Sequence, residues 1–250
     1  MKAIILAAGY GTRLKQITRH TPKPFTLVAR KSIVQHIIEK IVKIPHLDEI
    51  IIVTNNFFNQ FVLNWVTDFT ALEPKIKIPI KVLNDGTNTN EERLGAVGDI
   101  HFTVMSENID DDIFVIGGDN LFEFNILDFY KFFIKKGSSV VALHRFEEKS
   151  KVAGKFGIAL IDNNSKIIEF EEKPENPKSL LASTACYFFT KADVKELEQC
   201  IAEKRKPDNL GDFIKWLSEK GDVYGFVFSE KWIDIGSPEQ LNEARDKWGE

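Results

Sequence analysis

Cysteine is scarce: Cys186 and Cys200 are the only two in 250 residues. They build neither a disulfide framework nor a metal-ligand pattern. Both lie in apolar or helical surroundings, where structural thiols are expected. No apolar run reaches the roughly 18 residues of a membrane span. The chain starts basic and apolar, but the stretch Ala3 to Ala8 is shorter than the roughly 7–15 apolar residues of a signal peptide. Glycines and an arginine follow it directly, so a buried first strand and a cytoplasmic protein are expected. Positive charge is not in excess: 33 Lys and Arg against 37 Asp and Glu give a net charge of −4. A nucleic-acid partner is therefore not expected, and any bound phosphate must be held by a few aimed groups. No repeat, low-complexity tract or Pro/Gly/Ser linker divides the chain, so one domain is expected over 1–250. The five histidines show no spacing suited to a metal or a catalytic dyad.

What is present is an alternation of short apolar runs and helix-period segments. Lys2–Ala7, Glu49–Thr54, Ile80–Leu83, Ile113–Gly117 and Ser139–Leu143 read as strands, most of them apolar on both faces. Such strands belong to parallel sheets covered by helices. Ile33 to Val42 repeats at helical spacing after Ser32, which fits an N-cap. Phe57 to Phe69 does the same, and its aromatic stripe reads as core rather than as a ligand platform. The second half is richer in strands. Gly157–Ile161 and Ile167–Glu171 flank the turn Asp162-Asn-Asn-Ser165. Ala185–Phe189 follows, then a helix over Asp193–Glu203, another over Leu210–Glu219, and strands Val223–Val227 and Trp232–Ile235. From Ser237 the pattern Ser-Pro-Glu-Gln opens a last helix. The fold class is α/β with a mostly parallel sheet, and ligands of such sheets sit past the carboxyl ends of strands.

Four places there could carry chemistry. Leu6-Ala-Ala-Gly-Tyr-Gly-Thr-Arg-Leu14 closes the first strand; Gly9 and Gly11 let backbone N–H groups face a phosphate chain. Arg13 adds a fork-shaped cation, and Lys23 is held between Pro22 and Pro24. A dinucleotide fold is disfavoured because Leu14 stands where a third glycine would be, and Thr54-Asn-Asn56 offers no acid for a ribose. No Walker-type phosphate loop occurs. In Val115-Ile-Gly-Gly-Asp-Asn-Leu-Phe122, Asp119 sits where a carboxylate can hold Mg²⁺ beside phosphates. In Trp232-Ile-Asp-Ile-Gly236, Asp234 interrupts an apolar strand, which is costly for an unpaired core carboxylate. A metal would remove that cost, whereas an N-cap role is better spaced for Ser237. In Phe170-Glu-Glu-Lys-Pro174, Glu172 can accept sugar hydroxyls and Lys173 can neutralise a phosphate, with Gly157 and the strand Ala182–Ala185 beside them. The triplet Asp110-Asp-Asp112 precedes its strand and reads as a solvated turn rather than a metal motif.

Together these pieces resemble the sugar-1-phosphate nucleotidyltransferase family, and most of all its glucose-1-phosphate thymidylyl- and uridylyltransferases and mannose-1-phosphate guanylyltransferases. Leu6–Leu14 with Pro22-Lys-Pro24 matches the family signature L-A-A-G-x-G-T-R-L…P-K-P. Gly118-Asp119, Glu172-Lys-Pro174 and Trp232–Gly236 follow in the family's order. The resemblance implies a Rossmann-like, GT-A-like core over about 1–145 and a sugar-binding part over about 146–230. A metal-ligand strand and C-terminal helix complete it over 231–250. It implies an NTP and a sugar 1-phosphate as substrates, with dTTP or UTP and glucose 1-phosphate favoured. The nucleotide would lie on Leu6, Ala8, Gly9, Gly11, Thr12, Arg13 and Lys23, with its base near Leu94 and Gly95. The sugar would lie on Gly157, Glu172, Lys173 and Ser183, and Mg²⁺ on Asp119 and Asp234. Arg13, Lys23, Asp119 and Lys173 would carry catalysis, and a homo-oligomer is left open. Ala96-Val-Gly-Asp99 and Ser183-Thr-Ala-Cys186 depart from the family's usual segments. No hexapeptide repeat follows the Asp234 helix, so an appended acetyltransferase domain is not expected. Two alternatives stand beside this reading: a phosphocholine cytidylyltransferase, which would need an aromatic or acidic box, and a non-catalytic regulatory subunit.

Overall fold

The computed structural model describes residues 1–12, 21–204 and 208–248. In chain order it comprises β1 (Lys2–Leu6), a 3₁₀ turn (Lys23–Phe25), β2 (Leu27–Val28), β3 (Lys31–Ser32), α1 (Ile33–Ile41), β4 (Glu49–Thr54) and α2 (Asn59–Leu72). Then come β5 (Ile80–Asn84), α3 (Gly95–Ser106), β6 (Ile113–Gly117), β7 (Asn120–Phe122), α4 (Ile126–Lys136) and β8 (Val140–Arg145). After α5 (Lys149–Val152) follow β9 (Gly157–Ile161), β10 (Ile167–Glu172), β11 (Leu181–Phe189), α6 (Lys191–Lys195) and α7 (Leu197–Lys204). The chain closes with α8 (Leu210–Lys220), β12 (Tyr224–Phe228), β13 (Trp232–Asp234) and α9 (Pro238–Trp248).

The main sheet is mixed. β5, β4, β1 and β6 are parallel neighbours, and β11 then joins β6 antiparallel. β8 pairs β11 antiparallel and β12 parallel, while β9 and β10 extend the sheet at the other end of β11. The strands read as apolar runs because both faces are covered. Alternate residues feed two cores: Ala3 and Ile5 of β1, Ile50 and Ile52 of β4, and Phe114 and Ile116 of β6 face one. Ile4, Ile51, Val53, Ile113 and Val115 face the other. Each fully buried isoleucine contributes roughly 1.5–3 kcal/mol relative to an exposed one. No helix among the described residues is long and apolar enough to cross a membrane.

Most of the expected elements form, with three instructive departures. The helix expected from Phe57 starts at Asn59, because Asn55 Oδ1 accepts the Phe58 N–H at 3.0 Å and bends residues 55–58 into a turn. Phe57 is consequently 64% exposed, outside the core stripe. The helix expected over Asp193–Glu203 is two helices that meet at Glu196. Thr190 caps the first, accepting the Asp193 N–H, so it begins at Lys191. β11 starts four residues before Ala185 and carries a register shift between Ser183 and Tyr187. At that bulge Ala185 has φ +52°. The extra length lets one strand pair with β9 at its start and with β6 at its end.

Candidate active site

Beyond the carboxyl ends of β1 and β6 lie three adjoining cavities. The first, about 410 Å³, lies between the loop after β1 and the start of α3. The second, about 350 Å³, lies over Lys23, Asp119 and Asp234. The third, about 310 Å³, lies beside β10, β11 and the start of α8. Asp119, Asp234, Lys155 and Lys173 border both the second and the third. Asn209 borders all three.

The loop after β1 is pinned from below. Ala7 donates to the Val53 carbonyl at 2.8 Å, and the fully buried Asn55 donates from Nδ2 to the Ala8 carbonyl at 2.8 Å. Beyond that anchor a Cβ on Gly9 would meet nothing within 4 Å, so the backbone there is open to a ligand. Gly11 takes φ +61°, which a side chain would strain. Leu6, Ala8, Gly9 and Thr12 border the first cavity, and Gly11, Thr12 and Lys23 the second. Arg13 lies outside the described residues.

Lys23 opens a 3₁₀ turn whose N-cap is Pro22, at φ −58°. The ring of Pro24 packs so close to Gly118 that a Cβ there would sit 2.8 Å from its Cγ and from the Leu6 carbonyl. This contact sets the Lys23 ammonium against the Asp119 carboxylate, with which it is ion-paired. Asp119 follows β6, and Asp234 ends β13, which pairs antiparallel with β7 so that Asp234 faces Asn120 in register. Ile235 donates its N–H to the Asp119 carbonyl at 3.0 Å. Asn120 Nδ2 donates to Asp119 Oδ1 at 2.9 Å, and Trp232 Nε1 donates to Asn120 Oδ1 at 2.8 Å. Asp119 and Asp234 thus stand at one wall, with the Asp119 carboxylate held by Asn120 and Lys23. Asp234 is half-buried and borders the cavities rather than facing the core. The last helix is capped by Ser237, whose Oγ accepts the Gln240 N–H at 3.3 Å.

Gly157, Glu172, Lys173 and Ser183 all border the third cavity. Burial pushes the Glu172 carboxyl above the ordinary range, and Lys173, whose Nζ lies 3.5 Å away, opposes the shift. Space around that carboxyl depends on glycine. A Cβ on Gly157 would lie 2.6 Å from Phe170 Cζ and 3.0 Å from Glu172 Oε2, and Gly211 of α8 is equally constrained. Lys173 itself holds φ +48°, a strained conformation kept by its N–H bond to the Phe156 carbonyl at 3.1 Å.

Leu94 does not join this groove. It is 39% exposed and borders a separate surface hollow with Phe102 and Met105, while Gly95 borders the first cavity. Asp110 pairs with Lys191 and Lys195, and Asp111 with the N-terminal amine, so that triplet serves the surface. Several bordering residues escaped the sequence reading, chiefly Asn209, Lys155, Tyr10, Arg93 and Asp99. Asn209 did leave a signal, a capping box with Asp212 before the helical run of α8. Lys155 left none. A sequence cannot tell which surface lysine a distant loop brings to a site.

The sequence profile of the nucleotidyl transferase family matches residues 2–250. The bifunctional protein GlmU of Methanocaldococcus jannaschii is 33% identical over 244 residues, which is 98% of this chain and 53% of that protein. A glucose-1-phosphate adenylyltransferase of Clostridium acetobutylicum is 29% identical over 97% of this chain and 65% of its own length. The chain thus spans about half the length of the GlmU proteins it matches. A Bacillus anthracis protein assigned as a glucose-1-phosphate thymidylyltransferase, crystallised with sucrose, superposes with a TM-score of 0.84 at 25% identity. That superposition covers 100% of this chain and 96% of the other. A UDP-glucose pyrophosphorylase bound to UDP-glucose shares the fold, with a TM-score of 0.82 at 21% identity, 99% of this chain and 97% of the other being covered. With its whole length matched and a groove at the strand ends lined by the signature residues, the chain is a member of the nucleotidyl transferase family.

Proposed function

We propose that the protein transfers the nucleotidyl group of an NTP to a sugar 1-phosphate and releases pyrophosphate. The observation that carries this is the order of the three cavities. A glycine-rich cradle leads to a wall of two carboxylates and lysines, and that wall leads to a glycine-lined pocket around Glu172. This is the layout for a nucleotide, its phosphates and a polyhydroxylated acceptor.

A phosphate monoester is already a nucleophile near neutral pH, so the site needs no general base. One of its oxygens attacks the α-phosphorus, and the bond from that phosphorus to the bridging oxygen breaks. Pyrophosphate leaves with the electron pair. The protein's task is alignment and compensation of charge. Lys23 stands beside Asp119 for the triphosphate, and Lys173 and Lys155 border the passage to the third cavity for the sugar phosphate. Arg13 is assigned to the triphosphate by the signature alone. Asp119 and Asp234 offer two hard oxygen donors at one wall, which fits Mg²⁺, an ion that usually completes its shell with substrate phosphate and water. When bound there, Mg²⁺ would neutralise phosphate charge and help to align the α-phosphate. The thymidylyltransferase likeness supports dTTP or UTP with glucose 1-phosphate.

One feature favours a second reading. Phe156 and Trp232, their rings 5.1 Å apart, border the third cavity close to Glu172. An aromatic pair with a carboxylate suits a quaternary ammonium as well as a sugar face, so phosphocholine with CTP is the alternative. The deciding experiment is pyrophosphate release from five NTPs against several sugar 1-phosphates and phosphocholine, with Mg²⁺. Release confined to a sugar column supports the main reading. Release with only CTP and phosphocholine moves the protein to the alternative. Silence from folded protein sinks both and favours a non-catalytic subunit.

A further inference from the structure

Under the first cavity two carboxyl groups lie against each other. Asp99, one turn into α3, is 7% exposed and borders the cavity. Its Oδ1 is sealed from solvent with no hydrogen-bond partner, and so is Oδ2 of Asp85. The other oxygen of Asp85 is fully occupied, because Thr87 donates both its N–H and its Oγ1–H to it at 2.8 Å. Thr87 Oγ1 lies 3.1 Å from the hydroxyl of Tyr10, which borders the same cavity. Two carboxylates in contact inside a protein repel strongly, and one shared proton turns the repulsion into a hydrogen bond. Burial, reinforced by Asp85 and Asp208, pushes Asp99 up to about 8, so Asp99 is the partner that keeps the proton at neutral pH. Among the described residues, Tyr10, Arg93 and Asp208 are the other ionisable groups bordering the cavity, and Arg93 is tied to Asp208 at 2.8 Å. With its proton committed to Asp85, Asp99 has only an acceptor to present to a ligand.

We infer that Asp99 reads the nucleobase of the NTP, accepting the ring N–H of a keto base: uracil, thymine or guanine. Cytosine and adenine carry a lone pair on the corresponding ring nitrogen, which an acceptor repels. The inference rests on the nucleotidyl-transfer reading above. Asp85, Thr87 and Tyr10 act as positioning residues, fixing the carboxyl and its proton.

The test is kcat and KM for each NTP, and for the ring-N-methylated analogue of the preferred one, in wild type, Asp99→Ala and Asp99→Asn. Wild type is expected to prefer a keto-base NTP and to lose about tenfold or more in kcat/KM for the methylated analogue, through KM. Asp99→Ala should raise the KM for the keto-base NTP by about tenfold and bring the two nucleotides within about twofold of each other. Its KM for the sugar phosphate should stay put. Asp99→Asn keeps an acceptor and gives Asp85 an amide donor, so it should retain most of the discrimination. Thermal melts of both variants establish that they fold, and the Asn variant preserves size. An active wild type that prefers CTP or ATP, or an Asp99→Ala protein that still discriminates the methylated base, overturns this inference alone. A wild type that turns over no NTP overturns the parent reading and this one with it.

Discussion

Asp119 combines three structural ties that a sequence cannot display. Its carbonyl holds Ile235, its Oδ1 accepts from Asn120, and its carboxylate is paired with Lys23. Asp119→Asn keeps the shape but removes the charge that a metal and Lys23 require. We expect turnover to fall by about two to three orders of magnitude, with the melting temperature within a few degrees of wild type. An active Asp119→Asn enzyme would remove Asp119 from the proposed machinery. Asp99 gives a second test, this time of stability. Its folded value of about 8 stands against an ordinary 3.8. The folded chain therefore holds a proton that the unfolded chain releases, and this group's contribution falls as pH rises through that window. The slope is at most about 1.4 kcal/mol per pH unit. Asp99→Asn escapes the penalty. Urea unfolding at pH 5 and pH 8 should show the stability of the Asn variant relative to wild type growing by about 1 kcal/mol or more. A difference that stays constant across that range would mean that Asp99 ionises normally.

Among the elements, α8 shows most clearly what the sequence disclosed and what it withheld. Its span was legible from apolar spacing, and its capping box, Asn209 with Asp212, was there to be read. That its first turn would close the Glu172 pocket was not legible, because the contact joins residues far apart in the chain. A Cβ on Gly211 would lie 3.0 Å from Phe170 Cε1 and closer still to Glu172 Oε2, so none fits without movement. Gly211→Ala should therefore displace the Glu172 carboxyl and raise the KM for the acceptor about tenfold, with the KM for NTP little changed. Initial-rate kinetics with each substrate varied in turn would show it, and an equal rise in both constants would point to general loosening of α8. The same division holds elsewhere. Strands β1, β4 and β6 were plain because burial on both faces leaves an unbroken apolar run. The bulge of β11 at Ala185, the break at Glu196 and the late start of α2 were hidden. The bulge depends on pairing with β8, and the late start on the Asn55 side chain before the helix. The break at Glu196 is a local turn onto the Asp193 and Val194 carbonyls that apolar spacing does not mark. The signature residues were found because glycine, proline and charge at fixed spacing mark local chemistry. Lys155 and Asp99 were missed because their role comes only from what the fold places beside them.

On the scale of the molecule, the portion over about 1–145 and the portion over about 146–230 share one sheet. β6 and β8 of the first pair with β11 of the second, and β12 returns to the outer edge of β8. Both cores cross the division: Phe114 and Phe188 pack in one, Val141 and Tyr187 in the other. Neither portion can expose its strands without stripping partners from the other, so we expect them to unfold together. The four tryptophans make this measurable, since Trp65 lies in α2, Trp216 in α8, Trp232 in β13 and Trp248 at the end of α9. Thermal melts followed by tryptophan fluorescence and by far-ultraviolet circular dichroism should coincide in a single transition. The groove spans the same division, so a nucleotide that fills it should move the whole transition rather than one part. At a concentration about 100 times its Kd, an NTP should add about 2.7 kcal/mol. For a chain of this size each kcal/mol is worth about 2–4 °C, which makes a shift of about 5–11 °C. Two separated transitions, only one of them moved by nucleotide, would mean that the shared sheet does not couple the portions and that the nucleotide rests on the first alone. A single shifted transition would mean that filling the cradle after β1 stabilises strands as distant as β10 and β12.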